Sequence, residues 1–242
     1  MMQKGSIFVL WSAILFAVPS PVGAIEVRLS GDGALEGAEA LMNTVLVEAV
    51  PAGADSVVEA SVLSVKQYLR AQAVDADAGF AKGTVALWLK PLDWISADDH
   101  WRMLVNWRAV LNRQSGANGS FTVRGDPSGG AVLMIGNFEE DVFDTLNLGP
   151  GHVSPDGWTH VVFAWDEEEL TGYVNGEEVA RKPRKTGVEK LVWAPDFILG
   201  GGHWSGIDQG RTAVADLMVS SGMITADEVS TLHAQRRSSL AP

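Results

Sequence analysis

The chain contains no cysteine. Disulfide staples, thiolate metal ligands and thiol nucleophiles are therefore excluded. At 242 residues the chain does not need such staples. A chain of this length buries ~70% of its unfolded surface on folding. Positive charge is also scarce: 18 Lys and Arg stand against 30 Asp and Glu, a formal net charge of −12. That field repels duplexes and anionic membranes, so no nucleic-acid partner is expected. It also disfavours an anionic polysaccharide, unless a cation bridges the two. Long apolar runs are missing after the N-terminus. Internal repeats, low-complexity tracts, a Gly-rich phosphate loop and a nucleophile elbow are missing too.

The N-terminus has its own grammar. Lys4 precedes the apolar run Ile7–Val18, and Pro19–Ala24 closes on Val22-Gly23-Ala24. This is a positive n-region, an h-region and a small-residue cleavage site. The run is shorter than the ~20 apolar residues a bilayer span takes. Residues 1–24 are predicted to be a signal peptide, cleaved after Ala24. No cysteine follows the site, which excludes a lipid anchor. The mature chain is expected to be secreted or periplasmic, with no membrane insertion. Its charge is 17 Lys and Arg against 30 Asp and Glu once Lys4 is gone, or −13.

The remainder reads as many short strands between turns. Ile25–Ser30 alternates apolar and charged residues, and Gly31-Asp32-Gly33 turns it. Ala34–Val50 mixes Gly37 with apolar residues and reads equally as strand or short helix. Val57–Leu69 gives one or two strands, and Ala71–Ala81 reads as a loop. Strands follow at Thr84–Lys90, Met103–Leu111, Ser120–Arg124 and Ala131–Asn137, and a weaker one at Asp144–Leu148. Pro91–Trp101 and Asn112–Gly119 are loops. Trp158–Trp165 and Leu170–Val174 flank the acidic run Asp166–Glu169, and Asn175-Gly176 supplies the strongest short-range hairpin signal. Leu191–Leu199 and Arg211–Ser220 complete the set. Thr225-Ala226-Asp227-Glu228 is a capping box opening a helix that ends near Gln235. This pattern predicts an all-β fold: a two-sheet antiparallel β-sandwich with a short C-terminal helix.

Three stretches carry a family resemblance. Gly157-Trp158-Thr159-His160 followed by Tyr173-Val174-Asn175-Gly176 resembles the LamG-like jelly roll of the concanavalin A-like lectin/glucanase superfamily. Gly83–Pro91 is similar to that family's early W-x-K-P strand. Ala215–Val219, followed by Thr225–Gln235, is similar to its closing strand and helix. The resemblance is clearest over residues 57–235. It implies a concanavalin A-like jelly-roll domain spanning 25–236, with a tail over 237–242.

Four constellations could carry chemistry. Glu139, Asp141 and Asp144 form E-x-D-x-x-D, which imperfectly resembles the paired carboxylates of glucanases of related fold. Residues two apart on a strand share a face, and a retaining glycosidase needs carboxyls ~5–5.5 Å apart. The competing reading is a solvated acidic turn. Arg124-Gly125-Asp126 is an integrin-like tripeptide among turn formers, and the plain reading is a hairpin. The resemblance implies a calcium carboxylate at Asp216, with Asp32 a candidate second ligand. Calcium takes 6–8 oxygens, so these two are at most part of a metal site. The fourth constellation is aromatic. Trp94 and Trp101 flank an acidic loop, and His203, Trp204 and Asp208 lie in a Gly-rich one. Trp faces stack on pyranose rings while Asp or His bonds the hydroxyls. Trp88, Trp158 and Trp165 sit in strands and read as core. His160 reads as a hydrogen-bonded strand residue, and Asp99-His100 alone makes no metal site.

Fold does not imply function. The leading expectation is a secreted, non-catalytic carbohydrate- or surface-binding module, with a polysaccharide or glycan as partner and calcium as the cofactor to test. The alternatives are a glycoside hydrolase or polysaccharide lyase of the same superfamily, and a structural or protein-interaction role in an envelope or matrix. The sequence leaves ligand and oligomeric state open.

Overall fold

The computed structural model describes residues 26–52, 56–64, 66–73, 81–94, 101–110, 119–126, 128–138, 140–185, 191–201 and 210–240. In chain order the strands are β1 (Glu26–Ser30), β2 (Leu35–Glu36), β3 (Ala38–Asn43), β4 (Leu46–Pro51), β5 (Val57–Leu63), β6 (Leu69–Ala73), β7 (Gly83–Pro91) and β8 (Arg102–Val110). They continue with β9 (Gly119–Gly125), β10 (Ala131–Asn137), β11 (Val142–Asn147), β12 (Thr159–Trp165), β13 (Glu169–Val174), β14 (Glu177–Pro183), β15 (Val192–Leu199) and β16 (Thr212–Ser220). The helix α1 (Ala226–Leu240) follows.

Two antiparallel sheets face each other. The nine-stranded sheet runs β14-β13-β12-β7-β16-β1-β2, with β5 pairing β16 and β4 pairing β5. The seven-stranded sheet runs β11-β10-β9-β8-β15-β6-β3. Their inner faces share one core that includes Leu87, Trp107, Phe121, Phe163, Trp165 and Phe197. This is the expected jelly-roll sandwich. Strand pleating explains who lies inside. In β1, Val27 and Leu29 are buried while Glu26, Arg28 and Ser30 are partly exposed. Every residue of β12 is buried instead, because the helix covers the sheet's second face.

That cover is built by few contacts. Val229 closes a cluster with Ala86, Val162, Ala164 and Tyr173. Leu240, at the other end of α1, closes one with Val50, Ala60, Trp88 and Trp158. The capping box forms as expected: the Glu228 amide donates to Thr225 Oγ1 at 3.3 Å, and the Thr225 amide donates to Glu228 Oε2 at 2.8 Å. The helix does not end near Gln235, however, and residues 237–240 are not a tail. The buried Leu240 side chain anchors a final turn.

One strand expectation is corrected and one open reading is resolved. Ala71–Ala73 belongs to β6 rather than a loop. Leu69, Ala71 and Ala73 point inward while Arg70 and Gln72 point out. Alanine is too small to advertise that alternation in sequence. The ambiguous Ala34–Val50 forms β2, β3 and β4, with no helix. The Asn175-Gly176 turn does form, with φ of 51° and 88°. Both central residues are left-handed, as a type I′ turn requires.

Candidate functional site

The outer face of the seven-stranded sheet can be read from its register. Trp107 pairs with Phe121, and Val105 with Val123, all facing the core. Asn106 pairs with Thr122, so both point outward. Met134 and Thr145 extend that row across β10 and β11. Next to it, Arg124 pairs with Met103 and Val132. A register shift between Met103 and Val105 re-aims this end of β8.

Arg124 is the charged centre of the face. Its guanidinium lies over the Trp101 ring, 4.8 Å from the centroid. Its Nη2 reaches the Met134 thioether at 3.7 Å, a weak acceptor. The Nε atom is buried without a hydrogen-bond partner, and so is the Thr122 hydroxyl. Among the described residues no carboxylate pairs with Arg124. Burial draws the guanidinium below its ordinary pKa. Arg124, Met134 and Trp101 are each partly exposed, and Thr145 is open. The face is thus accessible from the β11 side.

Trp94 and Trp101 do not form one platform. Arg124 and Gly125 are neighbours on a strand and project to opposite faces. Trp101 meets the first, whereas a Cβ added at Gly125 would strike the Trp94 ring. Trp94 donates from Nε1 to Thr212 Oγ1 at 3.0 Å and packs against the core, with the buried Arg102 5.6 Å from its ring. It plugs the end of the sandwich. His203, Trp204 and Asp208, and the predicted signal segment 1–24, lie outside the described residues. So do Glu139 and His100.

The carboxylates expected to act find other partners. Asp144 is fully buried on the inner side of β11. Lys182 Nζ lies 3.0 Å from its Oδ1 and Arg184 Nε 3.5 Å from its Oδ2. The Lys185 amide also donates to Oδ2, at 3.1 Å. This cluster ties the edge of one sheet to the edge of the other. Asp141 occupies a turn with φ of 52°. Asp126 accepts from the Ser128 amide at 2.7 Å, so the Arg-Gly-Asp segment ends in an ordinary Asx turn.

Asp216 is held by Arg236 of α1, with Nε 2.6 Å from Oδ2. Burial raises its pKa, against the pull of Arg236. Asp32 accepts from the Ser30 hydroxyl and, at 3.1 Å, from the Ala34 amide, which lowers its pKa. Each thus has an engaged oxygen. Among the described residues no third His, Asp or Glu completes a metal-binding group with them.

A ring cluster beneath α1 has no local sequence signal. Trp88 and His160 are register partners on β7 and β12. His233 comes down on them from the helix, 5.2 Å from Trp88 and 5.7 Å from His160 between centroids. Both histidine Nδ1 atoms are buried without a hydrogen-bond partner. Burial first, and the neighbouring His233 second, lower the His160 pKa to about 3. Only the tertiary arrangement joins residues 88, 160 and 233. The outer-face row was more legible: Thr122 and Arg124 alternate with Phe121 and Val123 in the sequence itself.

Comparison with known proteins agrees with the architecture. The chain matches the binding domain of Paraclostridial Mosquitocidal Protein 1 with a TM-score of 0.64 and 12% identity, over 87% of this chain and 51% of that one. It matches the receptor binding domain of the botulinum neurotoxin C/D mosaic serotype with a TM-score of 0.66 and 11% identity, over 88% and 51%. A botulinum neurotoxin serotype D ligand binding domain, solved with N-acetylneuraminic acid, gives 0.63 and 12%, over 88% and 50%. The chain therefore spans about half the length of these structures. At such identities the likeness concerns fold. A search of curated protein sequences finds no match. Residues 63–230 match the sequence profile of Laminin_G_3, described as the concanavalin A-like lectin/glucanases superfamily. With most of its length inside that match, the chain belongs to the concanavalin A-like lectin/glucanases superfamily.

Proposed function

We propose that this chain is an exported, non-catalytic binding module that takes a glycan on the outer face of its seven-stranded sheet. The observation that carries this reading is the partly exposed Trp101–Arg124 pair. An aromatic ring offers stacking area, and the accessible Arg124 and Thr145 offer hydrogen bonds to hydroxyls. Two structural neighbours support it. One neighbouring toxin domain was solved with N-acetylneuraminic acid, and the other belongs to botulinum neurotoxin type C, whose cell entry is described as dependent upon interaction with two ganglioside molecules. The charged, apolar and small-residue pattern of residues 1–24 supports export. A hydrolytic reading draws no support from Asp144, whose carboxylate is enclosed with Lys182 and Arg184. Calcium belongs to the proposal as a variable of the test.

A glycan array with purified protein, run with calcium and with chelator, tests the reading. Binding to a defined sugar set, reduced about tenfold or more by Trp101→Ala in a folded variant, is the expected result. Absence of binding under both conditions would refute it. A second reading, protein interaction, is favoured by exposed Leu41, Met42, Leu46 and Val47 on β3 and β4. Exposed apolar side chains this close together in the sequence favour a contact surface. Pull-down from the native envelope separates the two.

A further inference from the structure

We propose that the ligand of this face carries an isolated carboxylate, held by Arg124 while its sugar ring lies near Trp101. This inference rests on the glycan reading above and specifies the ligand class. Arg124 is partly buried, and among the described residues it has no carboxylate partner. Removing a cation from water is costly unless something compensates it. The Trp101 ring offsets part of that cost through the guanidinium face. A ring contact leaves the in-plane N–H donors of the fork unused. Those donors match a planar carboxylate in a bidentate geometry. The nearby Met134 sulfur, 3.7 Å from Nη2, does not satisfy them.

A neutral sugar needs no guanidinium here. A serine or asparagine would bond its hydroxyls without burying charge. The net charge of the chain sets the other bound. At −12, the protein repels densely charged chains. One fork embedded in that field suits a single acidic residue on an otherwise neutral glycan. Sialic acids and terminal uronic acids share that chemistry. Polyuronates and heavily sulfated chains do not fit it.

Calorimetric titration separates the possibilities, using 3′-sialyllactose, a disaccharide ending in glucuronic acid, the methyl ester of each, lactose and a heparin oligosaccharide. One or both free acids are expected to bind about tenfold or more tightly than their esters and than lactose. Arg124→Gln should erase that preference, and Arg124→Lys should restore part of it. The ester comparison uses the native protein, so it stands even if a variant misfolds. Equal affinity for acid and ester, or tighter binding of the heparin oligosaccharide, would overturn the carboxylate assignment and leave the glycan reading intact. If none of the probes binds, the carboxylate assignment fails, and the glycan array decides the glycan reading separately.

Discussion

Replacing His160 with glutamine removes a titrating ring from beneath α1, and the consequence can be worked out. His160 is 3% exposed. Burial and then His233 bring its pKa from 6.5 to about 3 in the folded chain. The lowered value fixes the sign. As pH falls through the ordinary histidine range, the unfolded chain takes a proton at this position and the folded chain does not. Stability is therefore full above that range and is lost progressively as pH falls toward the folded value. Between about pH 7.5 and pH 5 the difference integrates to ~2 kcal/mol for one histidine. For a domain of this size that is a Tm decrease of about 4–8 °C. Burial and Arg237 lower the His233 pKa as well, against Glu177, so its contribution has the same sign. The assay is differential scanning calorimetry of wild type, H160Q and H160Q/H233Q at fixed ionic strength. The single variant should show a shallower fall of Tm with pH, and the double variant the shallowest. The slope is the readout, so a constant packing loss cancels, as do the carboxylates common to all three proteins. If H160Q retains the full wild-type slope, His160 titrates as a solvated histidine and the ring cluster is not closed.

Other perturbations test separate parts of the fold. Asp144→Ala removes the buried carboxylate that neutralises Lys182 and Arg184, and should cost about 3–5 kcal/mol by chemical denaturation. A loss near zero would mean that water screens the cluster. Thr225→Ala removes the acceptor for the Glu228 amide, and should cost ~1 kcal/mol and lower ellipticity at the helix band. Unchanged ellipticity and Tm would show that α1 is held by docking alone. Gly125→Ala places a methyl group against the Trp94 ring and should destabilise by about 1–3 kcal/mol, with a changed near-ultraviolet Trp signal. An unperturbed spectrum would contradict the placement of Trp94 inside the sheet.

Local signals were enough for much of the architecture. The strand from Trp158 to Trp165, the Asn-Gly turn and the capping box each depend on residues within a few positions of one another. Their physics is local, so they could be read directly. Ala71 and Ala73 escaped because small residues give no clear alternation. The helix end escaped because Leu240 is fixed by Val50, Ala60 and Trp88, which are remote in sequence. The site divided in the same way. The alternation of Phe121, Thr122, Val123 and Arg124 shows which side chains leave the core. Register and a β-bulge, however, decided that Trp101 faces Arg124 and Trp94 lies across the sheet. Asp216 appeared as a free carboxylate until the helix brought Arg236 to it.

By itself, then, the order of residues determined a two-layer β fold, a capped final helix and a strongly acidic surface. Each follows from pattern, short-range hydrogen bonding or summed charge. The folded chain decided which charges remain available. Asp144 and Asp216 acquire cations from distant segments, whereas Arg124 meets an aromatic face and no acid among the described residues. Pairing of that kind depends on which strands and helices become neighbours, and spacing along the chain does not encode it.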